Sequence, residues 1–343
     1  MPKISVLIVD DSAIMRKLIS DILAKDSDIV VVGQAVNGKD AIEKAKILKP
    51  NVITLDIEMP EMDGLTALKF LKKEVPQAKI IMFSSLTQEG AKATLEALSL
   101  GAYDFVPKPS TKSFLESVKK IEHDLIPKIK SVTLSQEVKT FKPTVQLPKL
   151  RSGIYRAIGI GVSTGGPQTL LEIFKNIPAT LRVPIFIVQH MPPIFTRQLA
   201  ERLDKISPLT VKEAEDGEVI KEGYVYVAPG DYHMRIKVNN RDKIITLNQD
   251  PPINNCRPAV DVLFESLAEV FNGTCLGIIL TGMGRDGTEG ARKIKQKGGG
   301  IIAQDSSSSI VFGMPRAVIE AGLADEVLSL QEIPKRIREL FRV

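Results

Sequence analysis

Short apolar segments alternate with amphipathic helical patterns along nearly the whole chain, and this alternation restricts the fold more than any other feature. It predicts an α/β architecture of parallel, doubly wound sheets with helices on both faces. The predicted strands of the first half are 5–10, 29–35, 52–56, 79–84 and 103–106. Those of the second half are 155–160, 183–189, 224–227, 274–280, 300–304 and 326–328, with a β-hairpin of 233–238 and 243–248 that we expect to be attached to the second sheet.

A basic segment with recurring prolines interrupts the alternation between Ile126 and Arg151. Apolar residues are sparse there, which is typical of a semi-extended linker. We therefore expect one α/β domain over residues 1–125, a linker over 126–151 and a second α/β domain over 152–343. A chain of this length fits two domains.

Composition argues against several classes of protein. No apolar run approaches the roughly 20 residues of a membrane-spanning helix, and the N-terminus leads directly into a predicted strand without a signal-peptide pattern. The two cysteines have no metal-binding spacing and suit a reducing cytoplasm, where we expect the protein to be located. The net charge is only +5 and no basic recognition helix is visible, so a nucleic-acid binder is not indicated.

Acidic residues stand at the ends of two predicted strands in the first half. Asp10 and Asp11 follow the first strand, and Asp56 ends the third. Because the carboxyl ends of parallel strands meet at one edge of a sheet, we expect these carboxylates to lie close together. Oxygen ligands of this kind suit Mg²⁺. At two further strand ends, Ser84 and Lys108 supply a hydroxyl and an ammonium group for phosphoryl oxygens.

Four short motifs surround these residues. They are Asp10-Asp11, Leu55-Asp56-Ile57-Glu58-Met59-Pro60 with Met62-Asp63-Gly64, Phe83-Ser84-Ser85, and Phe105-Val106-Pro107-Lys108-Pro109. Together they resemble the receiver domain of bacterial response regulators, which implies a flavodoxin-like fold with a parallel five-stranded sheet. The resemblance implies that Asp56 is phosphorylated and that Asp10, Asp11 and Asp56 bind Mg²⁺. It also implies that the phosphoryl group is sensed by Ser84, Lys108 and the switch aromatic Phe105.

A glycine-rich stretch opens the second half of the chain. Within it, Gly161-Val162-Ser163-Thr164-Gly165 fits G-x-S-x-G, the sharp strand-to-helix turn that exposes a nucleophilic serine. Two other interpretations of this stretch are open. Its glycines can form a phosphate cradle at a helix N-terminus, or Ser163 or Thr164 can serve only as a helix cap.

A nucleophilic Ser163 needs a base, and the chain contains three histidines. His123 lies among charged residues of a helical pattern and is expected at the surface. His190 ends an apolar strand and should share a sheet edge with Ser163, which makes it the preferred base. His233 precedes the hairpin and is assigned to the substrate cleft, with a turn histidine bonded to backbone as the alternative.

A carboxylate should orient the base from another strand end. Asp286 lies in a second glycine-rich turn after strand 274–280, where it can hold the imidazole of His190. Its alternative role is a helix cap. The candidate oxyanion donors are backbone N–H groups of the two turns, at Thr164, Gly165, Met283 and Gly284.

Six motifs of the second half support a closer comparison. They are Gly161–Pro167, Val188–Met191, Ala228–Met234, Leu280–Gly287, Ala303–Asp305 and Gly313–Pro315. They resemble the CheB family of chemotaxis methylesterases, which implies a triad of Ser163, His190 and Asp286 with an oxyanion donor near Met283. The resemblance implies hydrolysis of γ-glutamyl methyl esters on chemoreceptors, often with deamidation of glutamines, and control by receiver phosphorylation. The implied partners are chemoreceptors and a chemotaxis histidine kinase, without nucleic acid or membrane insertion, and the hydrolysis itself needs no cofactor.

Two functions of other classes stay open at this point. A nucleotide-binding output domain would use residues 159–166 as a phosphate cradle. A non-catalytic interaction module would not need Ser163. Neither explains why three separate strand ends carry the residue types of one triad.

Overall fold

The structure is a computed structural model that describes residues 3–109, 114–137 and 150–343. Contacts between residues divide the chain into two compact units, Met1–Glu137 and Val138–Val343. Each unit contains its own parallel sheet, so each is organised around its own core.

Strands and helices alternate along the first unit. Its strands are β1 (Ile4–Val9), β2 (Ile29–Ala35), β3 (Val52–Asp56), β4 (Lys79–Ser84) and β5 (Asp104–Pro107). Its helices are α1 (Ala13–Leu23), α2 (Gly38–Leu48), α3 (Gly64–Glu74), α4 (Gln88–Ser99) and α5 (Phe114–Glu137). The strands form a parallel sheet in the order β2-β1-β3-β4-β5, which confirms the predicted doubly wound architecture.

The central strand β3 is buried along its whole length, as expected where helices cover both faces of a parallel sheet. Val9 of β1 pairs with Leu55 of β3, so that Asp10 and Asp56 come next on neighbouring strands. The helix that follows β1 begins where the Ser12 hydroxyl accepts the N–H of Met15 at 3.4 Å, an N-cap. Local capping and strand register thus bring the two acids to one sheet edge.

The predicted start of the linker, at Ile126, is wrong. Helix α5 continues to Glu137 and contains Pro127. The reason is burial: Leu125, Ile129 and Val132 are at most 3% exposed, so an apolar face continues beyond the proline and packs on the sheet. Residues 138–149 of the predicted linker lie outside the described residues. Within the described ranges, no helix combines the length and the apolar character that crossing a bilayer requires.

The second unit repeats the alternation with a larger sheet. Its strands are β6 (Ala157–Val162), β7 (Ile185–Gln189), β8 (Thr210–Glu213), β9 (Tyr224–Val227), β10 (His233–Asn239), β11 (Asp242–Asn248), β12 (Cys275–Ile279), β13 (Gly300–Gln304) and β14 (Glu326–Leu328). Its helices are α6 (Gly166–Asn176), α7 (Pro193–Ile206), α8 (Val260–Phe271), α9 (Thr288–Gln296), α10 (Met314–Glu320) and α11 (Ile333–Phe341). Seven strands form a parallel sheet in the order β14-β13-β12-β6-β7-β9-β8.

The register of this sheet positions the candidate residues. Val162 at the end of β6 pairs with Gln189 at the end of β7. On the other side, Gly161 pairs with Ile279 at the end of β12. The loops that follow these three strands therefore leave the same carboxyl edge, at the middle of the sheet.

Three details differ from the predicted elements. Strand β6 lies two residues later than expected, because its pairing with β7 continues to Val162. The hairpin of β10 and β11 forms a separate two-stranded sheet rather than an extension of the large one, and it contacts helix α8, where Ile236 N–H donates to the Ser266 hydroxyl at 3.0 Å. Strand β8 was not predicted, because only Val211 of its four residues is fully buried and the segment has little apolar pattern.

Candidate active site

Ser163 lies in the turn between β6 and α6, at the carboxyl edge of the second sheet. Its backbone N–H donates to the carbonyl of Thr281 at 3.0 Å, which ties this turn to the one after β12. Gly165 has a left-handed φ of 76°, a conformation that favours glycine, and α6 begins at the next residue. No described side chain caps α6, so the structure does not support the interpretation of Ser163 or Thr164 as a mere helix cap.

The second turn packs directly against the serine. A Cβ atom on Gly282 would lie 2.8 Å from Cβ of Ser163 and 2.4 Å from Sδ of Met314. The backbone of Gly282 is also fixed, since its N–H donates to Val311 and its carbonyl accepts from Gly313, both at 3.0 Å. Only glycine at this position therefore allows the two turns to approach so closely.

Several backbone N–H groups of the two turns remain available to a ligand. In the described part of the chain, the four predicted oxyanion donors make no hydrogen bond to protein: the N–H groups of Thr164, Gly165, Met283 and Gly284. The carbonyl of Thr164, by contrast, accepts from the Thr281 hydroxyl at 2.9 Å, which fixes the first turn. Free N–H groups on a fixed backbone are the requirement for an oxyanion hole.

His190 and Asp286 form a direct side-chain pair. The His190 Nε2 atom lies 2.8 Å from Oδ2 of Asp286, and the two side chains are 12% and 2% exposed. His190 directly follows Gln189 of β7, which pairs with Val162 of β6, so His190 and Ser163 stand next to each other in sequence register. The structure thus pairs His190 with Asp286, 96 positions apart along the chain, and places His190 and Ser163 directly after paired residues of neighbouring strands.

Asp286 is held by the N-terminus of helix α8 rather than by the helix that follows it. Its Oδ2 accepts the N–H of Val260 at 2.7 Å, and its Oδ1 accepts the N–H groups of Asp261 and Gly287 at 3.1 and 2.9 Å. Burial alone raises the pKa of Asp286, but its hydrogen bond to His190 and these N–H groups outweigh burial and lower the pKa below the usual 3.8. The carboxylate therefore stays charged and is able to stabilise an imidazolium.

The second ring nitrogen of His190 contacts a thiol. Its Nδ1 lies 3.4 Å from Sγ of Cys256. Burial lowers the pKa of His190, but the charges and hydrogen bonds of Cys256 and Asp286 outweigh burial and raise the pKa above the usual 6.5. Among the described residues, the Ser163 hydroxyl makes no hydrogen bond, in line with the loose catalytic contacts of many sites without substrate.

The other two histidines have no role at this edge. His123 is exposed, as expected. His233 is 1% exposed, and both of its ring nitrogens are used: Nδ1 accepts the N–H of Ala259 at 3.2 Å, and Nε2 donates to the carbonyl of Pro251 at 3.2 Å. The assignment of His233 to the substrate cleft is therefore wrong, because the side chain is buried and serves to fix the chain before α8.

Sequence reasoning missed residues of the loop between the hairpin and α8. Asn254 donates from Nδ2 to Asp286 Oδ1 at 3.2 Å and to Asp261 Oδ2 at 3.0 Å, and Cys256 contacts His190. Burial raises the pKa of Asp261 to about 6. No strand or helix period indicates that this loop reaches the sheet edge. The only local signal is the pair Asn254-Asn255, which has φ of 52° and 60° and is typical of a tight turn.

A second cluster lies at the carboxyl edge of the first sheet. Asp10 and Asp56 are buried, Asp11 is exposed, and one carboxylate oxygen of each lies within 4.8 Å of the others. The ammonium of Lys108 is 2.7 Å from Oδ2 of Asp56 and 3.3 Å from Oδ2 of Asp10. Residues predicted from three different strand ends therefore meet in one place.

This cluster fits a divalent cation. Two buried oxygens, Oδ2 of Asp10 and Oδ2 of Asp56, have no assigned hydrogen-bond partner among the described residues, and the ammonium of Lys108 lies at ion-pair distance from both. Burial raises the pKa of Asp56 to about 6 even though Lys108 lowers it. Mg²⁺ prefers carboxylate oxygens as ligands, and it offsets the cost of burying their negative charge. The residues present therefore fit Mg²⁺.

The remaining predicted receiver residues lie around this cluster. The fully buried Ser84 donates its hydroxyl hydrogen to the carbonyl of Gly90 at 3.0 Å, so that it is engaged with α4. Phe105 is 5% exposed, and the ammonium of Lys128 lies 5.3 Å from the centre of its ring. Both side chains are buried in the interior of the first unit.

Comparison with known proteins gives two family matches, one in each of the two units. A family model for the response regulator receiver domain matches residues 6–119. A model for the CheB methylesterase matches residues 158–337, more than half of the chain. The chain belongs to the CheB methylesterase family. The combination of a receiver and a CheB catalytic domain confirms the predicted fold class.

Relatives of this CheB family member match it over nearly its full length. A protein-glutamate methylesterase/protein-glutamine glutaminase of Thermotoga maritima is 47% identical over 343 residues, covering 98% of both chains. One of Pyrococcus horikoshii is 46% identical over 350 residues, covering 98% of this chain and 93% of the relative. The crystal structure of the Thermotoga maritima CheB methylesterase catalytic domain matches with a TM-score of 0.53 and 50% identity, covering 54% of this chain and 98% of that one.

Proposed function

We propose that this chain is a serine esterase that hydrolyses γ-methyl esters of glutamate side chains on chemoreceptors, deamidates receptor glutamines, and is regulated by phosphorylation of its receiver. The observation that carries the proposal is the 2.8 Å pair of His190 and Asp286 at the sheet edge where the turn of Ser163 also lies. The names of the relatives from Thermotoga and Pyrococcus state both hydrolytic activities. A nucleotide cradle would use the free N–H groups but would leave the His190–Asp286 pair without a role.

In the first half-reaction, His190 accepts the hydroxyl proton of Ser163 at Nδ1 while the serine oxygen attacks the ester carbonyl carbon. Asp286 accepts the Nε2 hydrogen and stabilises the imidazolium that forms. The oxyanion receives hydrogen bonds from the free N–H groups of the two turns, and a single such donor typically contributes about 10²–10³ in rate. His190 then gives its proton to the departing methoxide, and methanol leaves an acyl-enzyme.

In the second half-reaction, His190 removes a proton from water, which attacks the acyl carbon, and Ser163 regains its proton as the glutamate carboxylate leaves. Deamidation follows the same steps, with ammonia as the first leaving group. Ser163 is half-buried at the sheet edge, so it stays within reach of a substrate side chain on a larger protein surface.

For regulation, we assign Asp56 as the phosphoacceptor and Asp10, Asp11 and Asp56 as the residues that would hold Mg²⁺. The cation would offset negative charge as the phosphoryl group reaches Asp56. Lys108, already 2.7 Å from Asp56, would pair with the phosphoryl oxygens. The Ser84 hydroxyl would leave the Gly90 carbonyl for the same oxygens, and Phe105 would repack. The phosphodonor is then a chemotaxis histidine kinase, in the cytoplasm.

The decisive experiment measures methanol release from methylated chemoreceptor by the intact chain and by Ser163→Ala. Loss of a triad serine should reduce turnover by about 10⁶. Ser307→Ala, an exposed serine bonded to Asp305, is the matched control and should keep wild-type turnover. Undiminished release by Ser163→Ala would refute the esterase mechanism.

Regulation is tested separately. A small phosphodonor with Mg²⁺ should stimulate methanol release by the intact chain, and a fragment of residues 152–343 should exceed the unphosphorylated whole. Stimulation should disappear in Asp56→Asn. A fragment no more active than the unphosphorylated whole would refute inhibition by the receiver while leaving the esterase assignment intact.

A further inference from the structure

Cys256 is part of a continuous chain of contacts with the catalytic pair. Its sulfur lies 3.4 Å from Nδ1 of His190, whose Nε2 lies 2.8 Å from Asp286. Because the ionised carboxylate can only accept, Nε2 carries the hydrogen of the neutral imidazole and Nδ1 presents its lone pair. Nδ1 is therefore both the nitrogen that must receive the Ser163 proton and the nitrogen that the thiol already contacts.

The backbone holds this thiol in place. Ile253 and Cys256 exchange two hydrogen bonds, with N···O distances of 3.1 and 2.8 Å, across a tight turn. The first central residue of the turn, Asn254, donates to Asp286 at 3.2 Å. One turn thus contacts both members of the pair, with an amide at the carboxylate and a thiol at the imidazole.

We propose that Cys256 is a modification site that controls the catalytic base: attachment of a small group to its sulfur by a disulfide or related electrophile closes the esterase. The inference rests on the proposed function, because it assigns Nδ1 as the proton acceptor. An S-alkyl or S-thioalkyl group removes the S–H hydrogen and inserts at least one further heavy atom at Nδ1. The Ser163 hydroxyl is then excluded from the nitrogen it needs.

The environment makes this thiol the reactive one of the two in the chain. Cys256 is partly exposed, whereas Cys275 in β12 is 0% exposed. The imidazole nitrogen 3.4 Å from the sulfur can accept the thiol proton as the sulfur attacks an electrophile. With a low-mass disulfide the thiolate sulfur attacks one sulfur, a new S–S bond forms, and the released thiolate takes the proton that left Cys256.

The test uses the full-length chain and methyl methanethiosulfonate, which transfers CH₃S to a thiol and releases methanesulfinate. Mass spectrometry counts the adducts, and methanol release measures the esterase before treatment, after treatment and after dithiothreitol. We expect one adduct, on Cys256, and a fall in the rate of methanol release of at least about 20-fold that dithiothreitol reverses. A fall of this size is comparable to losing a well-placed catalytic contact. Cys275→Ser should behave as wild type.

Cys256→Ser should be insensitive to the reagent. Before treatment it should lose no more than about 10-fold in turnover, because one hydrogen bond is involved and the hydroxyl can replace it. Full labelling of Cys256 without loss of activity, or inactivation that persists in Cys256→Ser, would overturn the proposal.

A second readout does not depend on esterase activity. The rate of Cys256 labelling in His190→Gln should fall by about 10-fold, because the imidazole that can accept the thiol proton during the attack is gone. An unchanged labelling rate would contradict the contact on which the inference rests. Failure of the proposed function is recognised separately, since untreated wild-type protein would then release no methanol.

Discussion

Replacing Asp286 by asparagine tests the catalytic pair most directly, because the structure dictates how the amide must sit. Three donors meet Oδ1, from Asp261, Gly287 and Asn254, at 3.1, 2.9 and 3.2 Å. The amide oxygen should keep this position, since the NH₂ group there would face three donors. The NH₂ group then replaces Oδ2 and donates to His190, which has to accept at Nε2.

The consequence is the wrong tautomer of the base. With Nε2 as acceptor, the imidazole hydrogen moves to Nδ1, which can no longer take the Ser163 proton. A tautomer change of this kind lowers turnover by about 10⁴ in serine hydrolases, equivalent to about 5 kcal/mol in the activation free energy. The variant also places an NH₂ group against the N–H of Val260, which should cost about 1–3 kcal/mol of stability.

The assay is methanol release from methylated chemoreceptor, with thermal unfolding measured on the same samples. Asp325→Asn is the matched control. Asp325 is 4% exposed, accepts the N–H of Ile301 at 2.8 Å and pairs with Lys295, but it lies at the amino ends of β13 and β14. The control should lose similar stability and keep its turnover. Turnover of Asp286→Asn within 10-fold of wild type, in folded protein, would refute the assigned role.

Three further predictions follow from the geometry of the two sites. The pH profile of ester hydrolysis should have its midpoint above the usual histidine pKa of 6.5, because Cys256 and Asp286 raise the pKa of His190. The base acts in its neutral form, so activity is lost as the pH falls through that raised pKa. A rate that stays constant down to pH 6 would contradict this. Gly282→Ala should reduce turnover by about 10² or more, because the new Cβ would lie 2.8 Å from that of Ser163 and misplace the nucleophile. Gly298→Ala serves as its control for lost stability: nothing lies within 4 Å of the added atom, but the φ of 88° strains an alanine there, at the amino end of β13. Equal turnover of the two variants would exclude the steric argument. Lys108→Ala should remove stimulation by a small phosphodonor, since Lys108 is the cation 2.7 Å from Asp56; stimulation equal to wild type would show that another group reads the phosphoryl charge.

The alternation of strands and helices was enough to predict both sheets, and several strands of the structure have the predicted limits, among them β2, β3, β4, β9 and β13. Each is a short segment rich in apolar residues and flanked by turn residues, which is a strong local signal. The signal failed at α5. Pro127 and nearby charges indicated a linker, but the burial of Ile129 and Val132 on the sheet decides that the helix continues.

The pairing of the catalytic residues was predictable in part for the same reason. Ser163, His190 and Asp286 each follow an apolar strand, and parallel strands place their carboxyl ends together. His233 shows the limit of such reasoning. It also adjoins a strand, but its hairpin forms a separate sheet, and two backbone partners bury it.

The sequence by itself determined most strand ends to within two residues, and with them the residue types available at each sheet edge, because strand limits follow largely from local apolar patterns. Only the tertiary structure decided which groups surround the His190 base. Asn254 and Cys256 belong to a loop without periodic pattern, and their contacts depend on where α8 brings that loop. Cys256 and His190 are 66 residues apart in the sequence and 3.4 Å apart in the structure. Their contact forms only when the sheet edge has folded, and no local sequence pattern indicates it.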